Sequence, residues 1–120
     1  GLQEPLESAE IRLTITAPDF RAAGQAAVDC VLRHAAQASD WHIAPDNREG
    51  VRISFDLQGG RDNGWFLLRL SVHDPVLPLN LESDVAGGLH TMAVALAGVL
   101  AGVEHIDCAK LQEFIKNGED

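Results

Sequence analysis

Basic side chains are scarce in this chain. Its 120 residues include 9 Lys and Arg against 18 Asp and Glu, which gives a formal net charge of −9. Broad contact with nucleic acid or with an anionic membrane rewards clustered Lys and Arg, so this balance argues against both partners. Any anion that the protein binds must be held by a few local donors against an unfavourable overall field.

Cysteine and long apolar runs are scarce as well. The only cysteines are Cys30 and Cys108, and such sparse usage suits a reducing compartment better than a disulfide framework. The chain has no run of about 18 apolar residues, the length that a transmembrane helix needs, and its acidic N-terminus lacks an apolar signal core. We therefore expect a cytoplasmic protein without a transmembrane helix.

The apolar pattern predicts one α+β domain. Strands are predicted where apolar and polar residues alternate, at 10–16, 51–57, 65–70 and 76–82, with a further short strand possible at 41–43. Helices are predicted where apolar residues recur at helical spacing, at 20–38, between a Ser83-Asp84 capping signal and Gly102, and at 106–116.

The order of these elements predicts one antiparallel sheet of four to five strands. Two main helices should pack on one face in a TATA-binding-protein-like arrangement, with a short C-terminal helix beyond them, and the other face is free to meet a neighbour. Pro78 has no N–H, so its strand should be an edge or carry a bulge. We divide the chain into a linker (1–9), a domain (10–101) and a C-terminal extension (102–120).

The end of the strand at 65–70 carries the most informative residues. Arg69 and Ser71 stand two residues apart where this strand enters a turn. A guanidinium and a hydroxyl delivered into a tight turn can bind an anion, and phosphate is the common one. On local chemistry alone, an arginine at a strand end is more often a surface ion-pair partner and a lone serine is usually a turn residue.

Two other readings of these polar residues are weaker. Ser71, His73 and Asp74 invite a catalytic triad, but three residues within one turn rarely reach triad geometry, which normally draws on separate loops. The five histidines show no metal-ligand spacing such as His-Glu-x-x-His, and no Cys-x-x-Cys occurs, so we predict no metal site in this chain.

The same stretch resembles the C-terminal domain of the phosphohexomutases, the phosphomannomutase/phosphoglucomutase superfamily. In that domain a glycine-aromatic start leads a strand into an Arg-x-Ser-Asn-Thr-x-Pro turn, and the returning strand ends in an acidic residue before the last helix. The corresponding residues here are Gly64-Trp65-Phe66-Leu67-Leu68-Arg69-Leu70-Ser71-Val72-His73-Asp74-Pro75, followed by 76–83. Similar segments at Glu49–Phe55 and Ser8–Ile11 extend the resemblance over about residues 8–101.

The central residues of the motif depart from the family pattern. Val72 and His73 stand where the family has Asn and Thr, and Pro78 stands where a basic residue is often found. Val72 removes an amide donor, while His73 replaces a hydroxyl with an imidazole that a nearby dianion would keep protonated. Arg69 and Ser71 remain.

The resemblance implies the last domain of an enzyme that moves a phosphoryl group between the 1- and 6-positions of a hexose. Arg69, Ser71 and His73 would bind the phosphate of a hexose phosphate, and the other domains of the same enzyme would be partners. The family's phosphoserine loop and its Mg²⁺ site belong to other domains, so this chain alone is expected to hold no cofactor and to be inactive. Exposed apolar surface would permit weak self-association.

An alternative of a different class is a degenerate, non-catalytic interaction domain. Such a domain would have kept the fold and lost phosphate binding. Val72 and Pro78 favour this alternative, whereas Arg69 and Ser71 favour the phosphate-binding domain.

Overall fold

A six-stranded antiparallel sheet is the frame of the molecule, here given by a computed structural model that describes residues 4–119. The strands are β1 (Glu7–Ile15), β2 (Trp41–Ile43), β3 (Gly50–Phe55), β4 (Gly64–Arg69), β5 (Val76–Ser83) and β6 (Ile106–Asp107), and the helices are α1 (Phe20–Ala35), α2 (Gly88–Leu100) and α3 (Ala109–Asn117). The sheet order is β2-β3-β4-β5-β1-β6. The predicted α+β class and single antiparallel sheet are confirmed.

The sheet is wider than predicted because short strands extend both of its edges. The possible strand at 41–43 is present as β2, three residues long, and pairs with β3. On the other edge, the two residues of β6 pair with the end of β1. Residues 4–119 thus form six strands rather than the predicted four to five. The two main helices, α1 and α2, and the shorter C-terminal helix α3 agree with the prediction.

The core lies between one face of the sheet and the helices. In β4, Phe66 and Leu68 are fully buried on this face, whereas Trp65, Leu67 and Arg69 alternate with them and point the other way. The helices contribute buried residues such as Val28, Val31, Met92, Leu96 and Leu111 to the same core. We call the sheet surface that carries Trp65, Leu67 and Arg69 the open face.

The C-terminal segment contributes to the core. Leu111 of α3 is fully buried, and α3 contacts both α2 and β1. The predicted linker, residues 1–9, lies partly outside the described residues, but from Glu7 onward it belongs to β1. The strand therefore begins three residues before the predicted domain start at residue 10.

Helix α2 has a cap supplied by a distant strand. The Glu7 carboxylate accepts hydrogen bonds from the Gly87 amide at 3.0 Å and from the Leu89 amide at 3.1 Å. A negative charge is favourable there because the first amides of a helix lack intrahelical acceptors. The predicted Ser83-Asp84 cap is wrong, since Ser83 ends β5 with its hydroxyl donating to the Val85 carbonyl.

Pro78 lies in the interior of the sheet, so the predicted edge strand is wrong. The Ile15 amide donates to the Pro75 carbonyl at 2.7 Å, so Ile15 and Pro75 form a hydrogen-bonded pair between β1 and β5. Hydrogen-bonded and non-bonded pairs alternate along an antiparallel ladder, so Pro78, paired with Arg12, is in a non-bonded pair with β1. The side of Pro78 on which another residue would carry its N–H therefore faces β4. The β4–β5 pairing stops at Leu68 and Leu79, one residue before that N–H would be needed.

Two further sequence-level expectations concern cysteine and the membrane. Cys30 and Cys108 are both free. Within residues 4–119, every helix is too short or too polar to cross a bilayer.

Glu7→Ala should lower the free energy of unfolding by about 1 kcal/mol, because it leaves two amides at the start of α2 without their acceptor. Urea denaturation followed by circular dichroism measures this loss. Glu10→Ala is the control, since Glu10 lies on the same strand and is exposed, with only a 3.9 Å ion pair to Arg12. Equal losses in the two variants would contradict the capping role.

Candidate anion-binding site

The turn that joins β4 to β5, residues 71–75, is held by hydrogen bonds within it and from β1. The Ser71 Oγ accepts from the Asp74 amide at 3.1 Å, and the Asp74 carbonyl accepts from the Val76 amide at 2.8 Å. The Pro75 carbonyl accepts from the Ile15 amide at 2.7 Å. The turn is exposed at its tip but fixed at both of its ends.

Helix α1 reaches the same turn through Arg21. The Arg21 Nε and Nη2 donate to the Val72 carbonyl at 3.3 and 2.9 Å. Arg21 lies in the first turn of α1, which Asp19 caps by accepting from the Ala22 amide at 3.1 Å. The predicted start of this helix at residue 20 is confirmed, and the helix ends at Ala35 rather than at residue 38. Sequence reasoning missed Arg21, because it lies 51 residues before Val72.

Arg69 is the last residue of β4 and lies on the open face. Its side chain is half-buried, and its Nε is buried without a hydrogen-bond partner in the described residues. No carboxylate among residues 4–119 forms an ion pair with it. Its cross-strand partner on β3 is Gly50, which has no side chain to cover the guanidinium. A buried donor without an acceptor is costly, so an oxygen acceptor within reach of this N–H would be stabilising.

Ser71 and His73 are less well placed than the sequence suggested. Ser71 lines a cavity of about 240 Å³ together with Phe20, Arg21 and Leu70, on the side of the sheet that bears α1. His73 is exposed. No hydrogen bond in the described part of the chain joins Arg69 to either residue, so the three predicted ligands form no hydrogen-bonded cluster.

Other cations lie on the open face near Arg69. Arg52 stacks on Trp65 with its guanidinium carbon 4.0 Å from the ring centroid, so Trp65 lies on the sheet surface. Arg12 pairs with Pro78 across β1 and β5. The face thus carries three arginines together with the carboxylates of Glu10 and Glu82, on a protein whose overall charge is −9.

A second polar cluster was not found from the sequence. The Nε2 of His42 lies 2.9 Å from the Oδ2 of Asp56, and the Ser54 hydroxyl donates to Asp62 at 2.9 Å. The ligand atoms of His42, Asp56 and Asp62 lie within 4.8 Å of one another, and imidazole with carboxylates is a donor set that divalent metals accept. These side chains are exposed or half-exposed, and their hydrogen bonds account for the geometry without an ion.

The hydrogen bond between His42 and Asp56 sets the protonation of the pair. It raises the pKa of His42 above 6.5 and lowers the pKa of Asp56 below 3.8. The pair is brought together by the β2–β3 register, which places His42 opposite Ser54. Linear spacing gives no sign of it, because the two residues are 14 positions apart.

Comparison with protein-family models and with curated proteins gives no match to this chain. The case for a function therefore depends on the turn and on the residues around it.

The stabilising effect of His42 should depend on pH. Because its folded-state pKa is raised above 6.5, its contribution is complete below that pH and is lost as the pH rises through the raised value. The contribution of Asp56, whose pKa is lowered, is lost only in acid, below 3.8. Urea denaturation between about pH 5 and pH 9 should show that His42→Gln lowers the free energy of unfolding, and that this loss becomes smaller at high pH.

The control for this measurement is His73→Gln, which removes an exposed imidazole with no hydrogen bond to another described residue. An NMR titration of the His42 ring supplies a direct check, since Asp56→Asn should return its pKa toward 6.5. A His42→Gln deficit that stays constant across this pH range would contradict the assignment.

Proposed function

We propose that this chain is the C-terminal phosphate-binding domain of a phosphohexomutase, an enzyme that moves a phosphoryl group between the 1- and 6-positions of a hexose. The observation that carries the proposal is Arg69. It ends β4 on the open face with a buried Nε that has no acceptor among residues 4–119. The guanidinium can offer two parallel N–H donors to phosphate oxygens, a geometry that lysine does not reproduce.

The surroundings of Arg69 support an anion at this position. Arg12 and Arg52 lie on the same face of the sheet, and the nearest carboxylate to Arg12 is a loose 3.9 Å partner. The imidazole of His73 is exposed at the tip of the turn, where a bound dianion would favour its protonated form. This ring could replace part of the donor capacity that the family's Asn and Thr supply.

The division of labour in the family completes the proposal. A TATA-binding-protein-like domain would close over the distal phosphate of a hexose phosphate, and the other domains would be its partners. The phosphoserine and Mg²⁺ of the reaction would come from those domains. This chain therefore contributes binding and orientation of substrate, with Arg69 as the anchor.

A second candidate function is a non-catalytic interaction domain that has lost its phosphate ligand. Two features of the turn favour it. The Val72 side chain is 61% exposed at the tip, where the family has a polar donor, and the Ser71 hydroxyl already accepts the Asp74 amide. The two candidates make opposite predictions for phosphate binding.

Inorganic phosphate and hexose 6-phosphates should bind at the turn. In ¹⁵N-labelled protein, added phosphate should shift the amides of residues 69–75 in a saturable way. Arg69→Lys should weaken binding by about 1.5–3 kcal/mol, or roughly 10- to 100-fold in Kd, because the fork of donors is lost.

Arg61→Ala is the matched control, because it removes one exposed guanidinium near the start of β4, at the opposite end of the strand. It should leave Kd within about a factor of two. Phosphate binding that is absent in the unsubstituted chain would exclude this function and favour the interaction domain. Binding that is equal in Arg69→Lys and Arg61→Ala would remove Arg69 from the site.

The chain alone should show no mutase turnover. A coupled assay that detects glucose 6-phosphate formed from glucose 1-phosphate should read background at any concentration of this protein, because the phosphoserine loop of the family is not in its sequence. Measurable turnover in proportion to protein concentration would overturn the binding-only role.

A further inference from the structure

The Val72 carbonyl is fixed toward helix α1 by two hydrogen bonds from one side chain. Arg21 donates to it through both Nε and Nη2, at 3.3 and 2.9 Å. The guanidinium is itself held at the first turn of a capped helix that packs on the core. The direction of this carbonyl is therefore set from outside the turn.

A carbonyl that is fixed in direction also fixes the amide that follows it. The peptide bond is planar and trans, so the C=O of Val72 and the N–H of His73 point in opposite directions. Since the Val72 carbonyl points to Arg21 of α1, the His73 N–H points away from α1. Arg69 lies on the open face of the sheet, the face that α1 does not cover.

The amides at the tip of the turn remain available as donors. Within residues 4–119, the Asp74 amide is bonded to Ser71 and the Val76 amide to the Asp74 carbonyl, whereas the His73 amide donates to no other residue. Backbone N–H groups gathered in a turn form anion-binding concavities. An oriented His73 N–H is thus a donor that does not depend on the identity of its side chain.

We propose that Arg21 is a positioning residue that turns the Val72–His73 peptide so that the His73 amide contributes to the anion site of Arg69. This inference rests on the proposed function. It extends that function by adding a backbone donor and a second arginine that acts from α1 without touching the ligand. It also supplies a physical reason why the site tolerates Val72, since the donors lost with the family's side chains are replaced by main chain.

The test compares Arg21→Ala, Arg21→Lys and Arg33→Ala. Arg33 is an exposed arginine near the other end of α1. Its replacement by alanine removes the same charge but no hydrogen bond to the turn. In ligand-free protein, Arg21→Ala should shift the Val72 carbonyl ¹³C and His73 amide resonances, and Arg33→Ala should not. Circular dichroism and thermal unfolding confirm that each variant is folded.

Phosphate affinity is then measured with inorganic phosphate as the probe. Arg21→Ala should bind phosphate about three- to tenfold more weakly than the unsubstituted chain, which is the factor expected for the loss of one backbone hydrogen bond to the ligand. Arg21→Lys keeps the charge but loses the paired donors, so it should fall between Arg21→Ala and the unsubstituted chain. Arg33→Ala should match the unsubstituted chain.

The outcomes separate this inference from the proposed function. Phosphate binding that depends on Arg69 but is equal in Arg21→Ala and Arg33→Ala overturns the role of Arg21 and leaves the function standing. The same holds if the His73 amide does not move when phosphate is added to the unsubstituted chain. Absence of phosphate binding in the unsubstituted chain removes the function, and the inference with it.

Discussion

The candidate site depends on the point at which the β4–β5 ladder stops. Pairing runs from Gly64 and Ser83 to Leu68 and Leu79 and then ends. Pro78 would occupy the next bonded position toward β4, and it has no N–H to give. The end of β4 is thereby released from β5, and the chain can leave the sheet at Arg69 and enter the exposed turn without breaking a hydrogen bond that the sheet needs.

The proposed anion site lies on a protein with a net charge of −9. Long-range attraction does not favour an anion here, so affinity must come from short-range, oriented donors. A guanidinium at a strand end suits this requirement because the sheet holds the backbone from which its side chain extends. Few rotamers are then lost when a ligand binds, which raises the affinity that each hydrogen bond contributes.

The elements predicted from the sequence are those with a local periodic pattern of apolar residues. The features that were missed depend on contacts between residues far apart in the chain. Strands β3, β4 and β5 follow from alternating apolar residues, and the start of α1 at Phe20 follows from apolar residues at helical spacing. The cap of α2 could not be predicted, because Glu7 lies 80 residues before the amide that it accepts. The two short edge strands are equally weak signals, since two or three residues carry too little pattern to be distinguished from loop.

The same distinction applies within the site. Arg69 and Ser71 were visible because the strand and its turn are contiguous in sequence, but contiguity also suggested that they act side by side. In the folded chain, Arg69 belongs to the open face and Ser71 to the cavity beneath α1. The alternation of strand side chains stops once the turn begins, so the direction of a turn residue cannot be read from its spacing.

Helix α1 therefore contacts the candidate site as well as the core. Its buried residues Val28 and Val31 pack against the sheet, while its first turn carries Arg21 to the Val72 carbonyl. Asp19 fixes where the helix begins, and the helix start fixes where the guanidinium can reach. A change in the packing of α1 would move the turn before it moved Arg69, because the turn is bonded to the helix and Arg69 is bonded to the sheet. Arg69 is thus supported by the sheet and the turn by helix α1. The relative position of Arg69 and the turn is set by the core between the sheet and the helix.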